Sequence, residues 1–397
     1  MPTRLPARPL LNKRARTARS SELRDMLDRA REPGMISFAG GVPAADRFPV
    51  ELLARLAAET IADDGARSLQ YGPTAGEPGA RRVLAGLYDP SPDGSIVEPD
   101  DVVVTSGAQQ AIDLVARVLL EPGDAVACGD PDYLGFLSVL RDHGVRPHPV
   151  PIDGDGLDVE RLGDALAGGL TIRACYLVPH HHNPTGATIG AERRRGLHRL
   201  STRYGFVVIE DDPYRSLHVD ETGPIEADAD PELTIRIRST SKILTPGLRI
   251  GVLTGPRAVT EAVVTMKQAT DLHTSSLSQA LVAAALDTGF LDDHVAGLRT
   301  AYRAKLDVVM GSLRDRLGDR VQVETPGGGM FVWLRAPGID TTAWLDRAIA
   351  RGACFVPGPA VAVEADLSEW ARLSFVTASE DELVTGVERL ADALVDG

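Results

Sequence analysis

Cysteine is scarce in this 397-residue chain, limited to Cys128, Cys175 and Cys354. The three are far apart, odd in number and never in a Cys-x-x-Cys pair, which speaks against a disulfide framework or a thiolate zinc site. Each sits among small or apolar neighbours and reads as a buried apolar filler. No apolar run reaches the roughly 18 residues that a membrane span needs. The arginine-rich start has no apolar stretch of the secretory kind, so a soluble cytoplasmic protein is expected. Positive charge is in deficit as well: 42 Lys and Arg face 56 Asp and Glu, a formal net charge of -14. Nucleic acid is therefore not expected as a partner, because a phosphate backbone attracts basic surfaces. The acidic residues are scattered, a pattern of solubility more than of recognition. Internal repeats and low-complexity tracts are absent too.

Hydrophobic residues make up 43% of the chain, enough for one large core and a smaller satellite. From about residue 100, short apolar runs alternate with helical periodicity. Residues 102–105 read as a strand and 108–120 as a helix; a strand at 125–128 and a helix over 132–143 follow. Further strands are expected at 175–178 and 206–209. Continuous apolar strands spaced by helices predict a mainly parallel sheet buried on both faces. The expected large domain is thus α/β, a three-layer αβα arrangement whose ligands gather at the carboxyl ends of the strands. After about residue 290 a long helical stretch runs through Leu298 and Leu306 to Leu317. Residues 327–334 then read as a loop entering a strand, and 380–395 as a closing amphipathic helix, together a smaller α+β domain. The expected division is an N-terminal arm and segment over 1–44 packing with the small domain, a large domain over 45–290 and a small domain over 291–397.

The candidate chemistry begins at Lys242, in the run Ser239-Thr240-Ser241-Lys242-Ile243-Leu244-Thr245-Pro246-Gly247-Leu248-Arg249. Taken alone this is a basic loop with a solvated lysine. It is also an amine able to form a Schiff base with a carbonyl cofactor, with two serines and Arg249 placed to hold one phosphate. Three other segments follow predicted strands. Ser106-Gly107-Ala108-Gln109-Gln110 opens a helix, where free N–H groups and the positive dipole end seat a phosphate, although Ser106 also suits ordinary capping. Asn183-Pro184-Thr185-Gly186 alone signals a turn. Glu210-Asp211-Asp212-Pro213-Tyr214 puts a carboxylate three residues from a phenol. A pyridine cofactor needs a carboxylate at its ring nitrogen, donors at its phenolic oxygen, a phosphate clamp and a lysine at its aldehyde. Asp211, Asn183 with Tyr214, the Ser106–Gln109 turn with Arg249, and Lys242 match those needs.

These segments give the chain a resemblance to the fold-type-I pyridoxal-phosphate enzymes of the class I/II aminotransferase superfamily, nearest to the 2-aminoadipate and kynurenine aminotransferase branch. Ile36-Ser37-Phe38-Ala39-Gly40-Gly41, Gln70-Tyr71-Gly72 and Arg372-Leu373-Ser374-Phe375 add to it, and it extends from about Ser21 to the C-terminus. The resemblance implies an aspartate-aminotransferase-like fold and pyridoxal 5'-phosphate as cofactor, bound in the large domain. It implies that Lys242 is the Schiff-base lysine, that Asp211 meets the ring nitrogen, that Asn183 and Tyr214 bond the ring oxygen and that Tyr133 stacks on the ring. Ala108 and Gln109 would hold the phosphate with Ser239, Ser241 and Arg249. Tyr71 would reach the phosphate of a neighbouring subunit, so a homodimer with shared sites is implied. Arg372 would grip a substrate α-carboxylate, Gly41 would admit the substrate closely, and Arg24 would lie near its side chain. The implied reaction is ping-pong transfer of an amino group from an α-amino acid to a 2-oxo acid, with no metal.

Two segments depart from the family pattern. His180-His181-His182 precedes Asn183 where relatives carry Gln or Asn at the last position. On a strand, adjacent side chains point to opposite faces, so the three are not expected to converge on a metal. His182 is left with two readings, a proton shuttle or packing. Pro359-Ala360-Val361-Ala362-Val363 lacks an aromatic residue that relatives often have. Two other functions fit parts of the pattern. One is a non-transaminating enzyme of specialised metabolism using the same cofactor for elimination, replacement, decarboxylation or cyclisation, because fold and cofactor do not fix the reaction. The other is a cofactor-sensing regulator, which would need a DNA-binding module ahead of this region.

Overall fold

Near-continuous apolar strands dominate the computed structural model, which describes residues 32–88, 97–219 and 229–395. Arg24 lies outside the described residues. In chain order the strands are β1 (Ile36–Ser37), β2 (Val103–Thr105), β3 (Ala125–Asp130), β4 (Arg146–Asp153), β5 (Gly156–Leu157), β6 (Ala174–Leu177) and β7 (Val207–Asp211). They continue as β8 (Thr234–Ser239), β9 (Gly251–Thr254), β10 (Gln322–Val323), β11 (Phe331–Arg335), β12 (Ala353–Cys354), β13 (Val356–Pro357) and β14 (Trp370–Ser374). One sheet has the order β2-β9-β8-β7-β6-β3-β4-β5. From β8 to β4 all neighbours are parallel, whereas β9 runs antiparallel to both β2 and β8. Every side chain of β6 is buried, as expected for a strand covered on both faces.

A second sheet, β10-β11-β14-β13, is antiparallel. The long helix Leu291–Leu317 packs on the closing helix Glu380–Val395 beside it. The fold class is the expected one: a mainly parallel sheet between helices, with a smaller α+β unit. The segment at Phe38–Pro43, which has no core of its own in sequence, is tied into that unit. β1 pairs with β12 in parallel, the Phe38 N–H donates to the Cys354 carbonyl at 2.8 Å, and the Ser374 N–H donates to the Phe38 carbonyl at 2.7 Å.

Two local expectations change. The helix expected from Asp132 starts at Leu134. Asp132 instead spends its carboxylate on the N–H groups of Gly129 (2.7 Å) and Tyr133 (2.6 Å), which keeps the chain in a turn there. The three histidines are not on a strand either, since β6 ends at Leu177. His181 adopts φ 49, and a Cβ on Gly329 (φ 73) would fall 2.5 Å from its Cβ. The residue at Gly329 must therefore be glycine for β11 to approach the histidine turn.

Candidate active site

The carboxyl ends of β6, β7 and β8 carry Asn183, Asp211, Tyr214, Ser239, Ser241 and Lys242. Alternation along β7 separates its acidic neighbours. Glu210 is buried and takes Arg194 in a bidentate pair at 2.8 and 2.9 Å, with His198 at 3.3 Å. Asp212 meets the Nδ1 of buried His180, both oxygens at 3.0 Å. Burial pushes Asp212 up, but the His180 pairing with Arg238 and Arg194 nearby outweighs it and holds the carboxyl near about 2. Asp211 differs from both. Its Oδ2 accepts from the Tyr176 hydroxyl at 2.7 Å, while its buried Oδ1 has no hydrogen-bond partner among the described residues. Burial raises its pKa to about 7, with Asp212 and Asp132 adding to the rise and Tyr176 and Lys242 opposing it.

Lys242 follows β8, and its Nζ donates to the Gly41 carbonyl at 2.7 Å. Lys242 is half-buried. Desolvation, then the positive charges of Arg372 and Arg249, lower its pKa to about 8 against the pull of Asp211. Such an amine is partly neutral near physiological pH and so can act as nucleophile or base.

Arg249 reaches from the same loop to the start of the helix Ala108–Leu119, its Nη2 donating to the Ser106 carbonyl at 3.2 Å. Gly107, at φ 87, makes that approach possible: a Cβ there would lie 2.2 Å from Nη2. The Ser239 Oγ donates to the Ser241 Oγ at 2.8 Å and accepts from the Ser241 N–H at 3.1 Å. Gln109 donates to the Gly135 carbonyl at 2.9 Å and accepts from the Tyr133 hydroxyl at 3.2 Å. Arg249 thus lies at the helix start, and Ser239 pairs with Gly251 beside it, a set of donors of the kind that binds phosphate.

Arg372, on β14, crosses to the first sheet. Its Nη1 donates to Asn183 Oδ1 at 2.8 Å, its Nη2 to the Ala39 carbonyl at 2.5 Å, and the guanidinium lies 4.5 Å over the Phe331 ring. Its buried Nε has no partner among the described residues. Burial lowers its pKa to about 10, so it stays cationic near neutral pH. Asn183 also bonds Tyr214, whose own pKa burial pushes well up. Tyr133 is raised to about 12, by burial first and Asp211 second, with Arg249 and Arg372 opposing. Asp211, Tyr214, Tyr133, Lys242, Arg249 and Arg372 therefore share one electrostatic environment.

Other expected residues stand apart. Tyr71 is 78% exposed, with its ring edge-on to His273. A Cβ on Gly41 would touch Phe331 at an ordinary 3.6 Å, so within this chain the position does not demand glycine. The histidines diverge: His182 is within hydrogen-bonding distance of Thr185 (3.0 Å) and Asp132 (3.4 Å), and the His181 N–H donates to Thr188.

Some supporting residues were not visible as motifs. Tyr176 is one. Another is Asp271, which takes the Ser106 hydroxyl at 2.9 Å, Gln110 at 2.7 Å and fully buried Lys267 at 2.7 Å, anchoring the helix start from behind. Lys267 and Asp271 form a legible i,i+4 pair, but their target is remote in sequence. Asp130 is the third, accepting from the N–H groups of Val363, Glu364 and Ala365. It ties the departing 359–363 segment to the end of β3.

The donor set fits a phosphorylated pyridine aldehyde. Asp211 Oδ1 can accept from a protonated ring nitrogen, Asn183 and Tyr214 are bonded to one another where a ring oxygen could join them, the helix start with Arg249 offers donors for a phosphate, and Lys242 offers an amine. Known proteins agree with that fit. A family model described as aminotransferase class I and II matches residues 33–390. The aromatic-amino-acid aminotransferase 1 of Thermococcus litoralis is 33% identical, covering 95% of this chain and 92% of its own. The crystal structure of a kynurenine aminotransferase from Pyrococcus horikoshii superposes with a TM-score of 0.92 at 33% identity, covering 98% of this chain and 97% of that one. The α-aminoadipate aminotransferase of Thermus thermophilus, solved with N-(5'-phosphopyridoxyl)-L-leucine, gives 0.88 at 33%, covering 97% of each chain.

Proposed function

The chain belongs to the class I and II aminotransferases, a pyridoxal-phosphate-dependent enzyme family, and from that premise we propose a role for each residue of its site. The observation that carries the proposal is the unpartnered Oδ1 of buried Asp211. A buried carboxylate oxygen without a donor is costly, and a protonated pyridine nitrogen relieves it. When bound, pyridoxal phosphate supplies an aldehyde for the substrate nitrogen and a ring that takes up the electrons of the broken α C–H bond.

The protein's part is binding, orientation and proton transfer. Lys242 Nζ anchors the aldehyde. As a free amine, the same Nζ would be the group that carries the proton of the substrate α-carbon. Asp211 keeps the ring nitrogen protonated, Asn183 and Tyr214 hold the ring oxygen, and Tyr133 covers the ring face. The N–H groups at Ala108 and Gln109, with Ser239, Ser241 and Arg249, hold the phosphate. Arg372 turns its free Nε and adjoining Nη toward a substrate carboxylate, near the Gly41 backbone. The two half-reactions share this site, giving ping-pong kinetics. Arg24 is placed by resemblance alone near the substrate side chain. The active unit is a homodimer in which Tyr71 completes the phosphate site of its partner, the localisation is cytoplasmic, and domains divide near residues 44 and 290.

The relatives named above are an aromatic, a kynurenine and an α-aminoadipate aminotransferase, so those amino acids come first in a screen. The holoenzyme is mixed with one amino acid and no oxo acid, and the cofactor absorbance is followed. Conversion of the aldehyde band to the amine band, with one oxo acid released per site, is expected for at least one of them. Product release with no conversion for any amino acid would sink the transaminase reading in favour of a non-transaminating use of the same cofactor.

A further inference from the structure

Tyr176 is fully buried on β6, one strand away from Asp211. The register pairs Tyr176 with Ile209, and Asp211 is two residues further along β7, so all three side chains share one face of the sheet. The phenol donates to Asp211 Oδ2 at 2.7 Å. The Phe136 ring lies flat on the tyrosine ring, with centroids 3.7 Å apart and planes 7° apart. Phe136 belongs to the helix Leu134–His143, which Tyr133 leads into. The phenol therefore has one bonded position, fixed by packing on its own ring.

We propose that Tyr176 is the positioning residue of this site: its hydroxyl occupies Asp211 Oδ2 and thereby presents Oδ1, ionised, to the ring nitrogen of the cofactor. The inference rests on the cofactor reading above and adds a residue that does not itself touch the ring. Two physical points support it. A carboxylate with one oxygen held by a donor loses the freedom to rotate, so the other oxygen has a defined direction. The phenol also stays a donor at any working pH, because burial and the nearby Asp211 charge push its own pKa well above the ordinary value. Its bond favours the charged carboxylate, opposing the burial that favours the neutral one.

The test is Tyr176→Phe, which keeps the ring and its stack on Phe136 and removes only the hydroxyl. The probe is 4-deoxypyridoxine 5'-phosphate, which has the pyridine and the phosphate but no aldehyde, so Lys242 chemistry is silent. Its Kd is measured against pH by equilibrium dialysis with the cofactor-free protein. We expect binding about tenfold weaker at neutral pH, the worth of one hydrogen bond to a charged group. We also expect the loss of affinity on acidification to set in at higher pH, since the carboxyl without its donor keeps its proton longer. In an Asp211→Asn background the same Tyr176→Phe change should alter Kd less than twofold. An unchanged Kd overturns the inference, as does weaker binding with an unmoved pH profile or an undiminished effect in the Asp211→Asn background. If the wild-type protein fails to bind the analogue, the cofactor reading falls instead.

Discussion

Burial of Asp211 has a cost in stability that its proposed contact with the cofactor would offset. Its folded-state pKa is raised from 3.8 to about 7 by burial. The folded chain therefore binds a proton that the unfolded chain releases at lower pH. The group's stabilising contribution is full below about pH 4 and is lost as pH rises to about 7. The cost to the cofactor-free protein is on the order of a few kcal/mol above that window. Asparagine can still accept from Tyr176 but carries no charge. Asp211→Asn without cofactor should thus melt a few degrees above wild type at pH 8 in calorimetry, and no higher at pH 4. The same variant should bind pyridoxal phosphate at least tenfold more weakly. A lower melting temperature at pH 8 would contradict this account. The sequence singled out Asp211 by its spacing from Tyr214 and by the family resemblance, but not what happens to the acids on either side of it. The structure adds that Glu210 pairs with Arg194 and Asp212 with His180, contacts that local reading cannot supply.

Among elements, the start of the helix Ala108–Leu119 is the most constrained. Gly107→Ala would place a methyl 2.2 Å from the Arg249 guanidinium at φ 87. It should cost roughly 1–3 kcal/mol in stability and move the arginine away from the helix start. Pyridoxal phosphate should then bind about tenfold more weakly or worse, while pyridoxal, which has no phosphate, should be little affected; equal losses for both would refute the phosphate assignment. Elements with a local signature were readable in the sequence: the helix Glu380–Val395 and the apolar β6 and β7 stand where periodicity predicts. Elements fixed by distant partners were harder to read. β4 alternates prolines at 147, 149 and 151, a pattern usually reserved for strand edges. It is tolerated here because β5 lies beside β4 only at Ile152–Asp153. The histidine turn reads as strand in the sequence for a similar reason, since its shape depends on contacts with Asp212, Thr188 and Gly329.

At the scale of the molecule, Val42, Leu69, Tyr71 and Leu272 leave apolar surface open on this single chain, Leu69 at 66% and Tyr71 at 78% exposure. In the homodimer proposed above, a second copy would cover Tyr71, an exposed aromatic residue in an aromatic-poor chain. Sedimentation should give a dimer of 42.3 kDa chains, and Tyr71→Phe should weaken pyridoxal phosphate binding without dissociating it; a monomer with full cofactor affinity would contradict the shared site. Lys242 is, in the proposed function, both anchor and proton carrier. The most direct measurement is exchange of the substrate α-hydrogen in heavy water, followed by NMR with no oxo acid present. Wild type should exchange it well above the rate of the free amino acid in buffer. Lys242→Ala, reconstituted with pyridoxal phosphate, should show no exchange above background. Exchange by the variant at the wild-type rate would contradict the account.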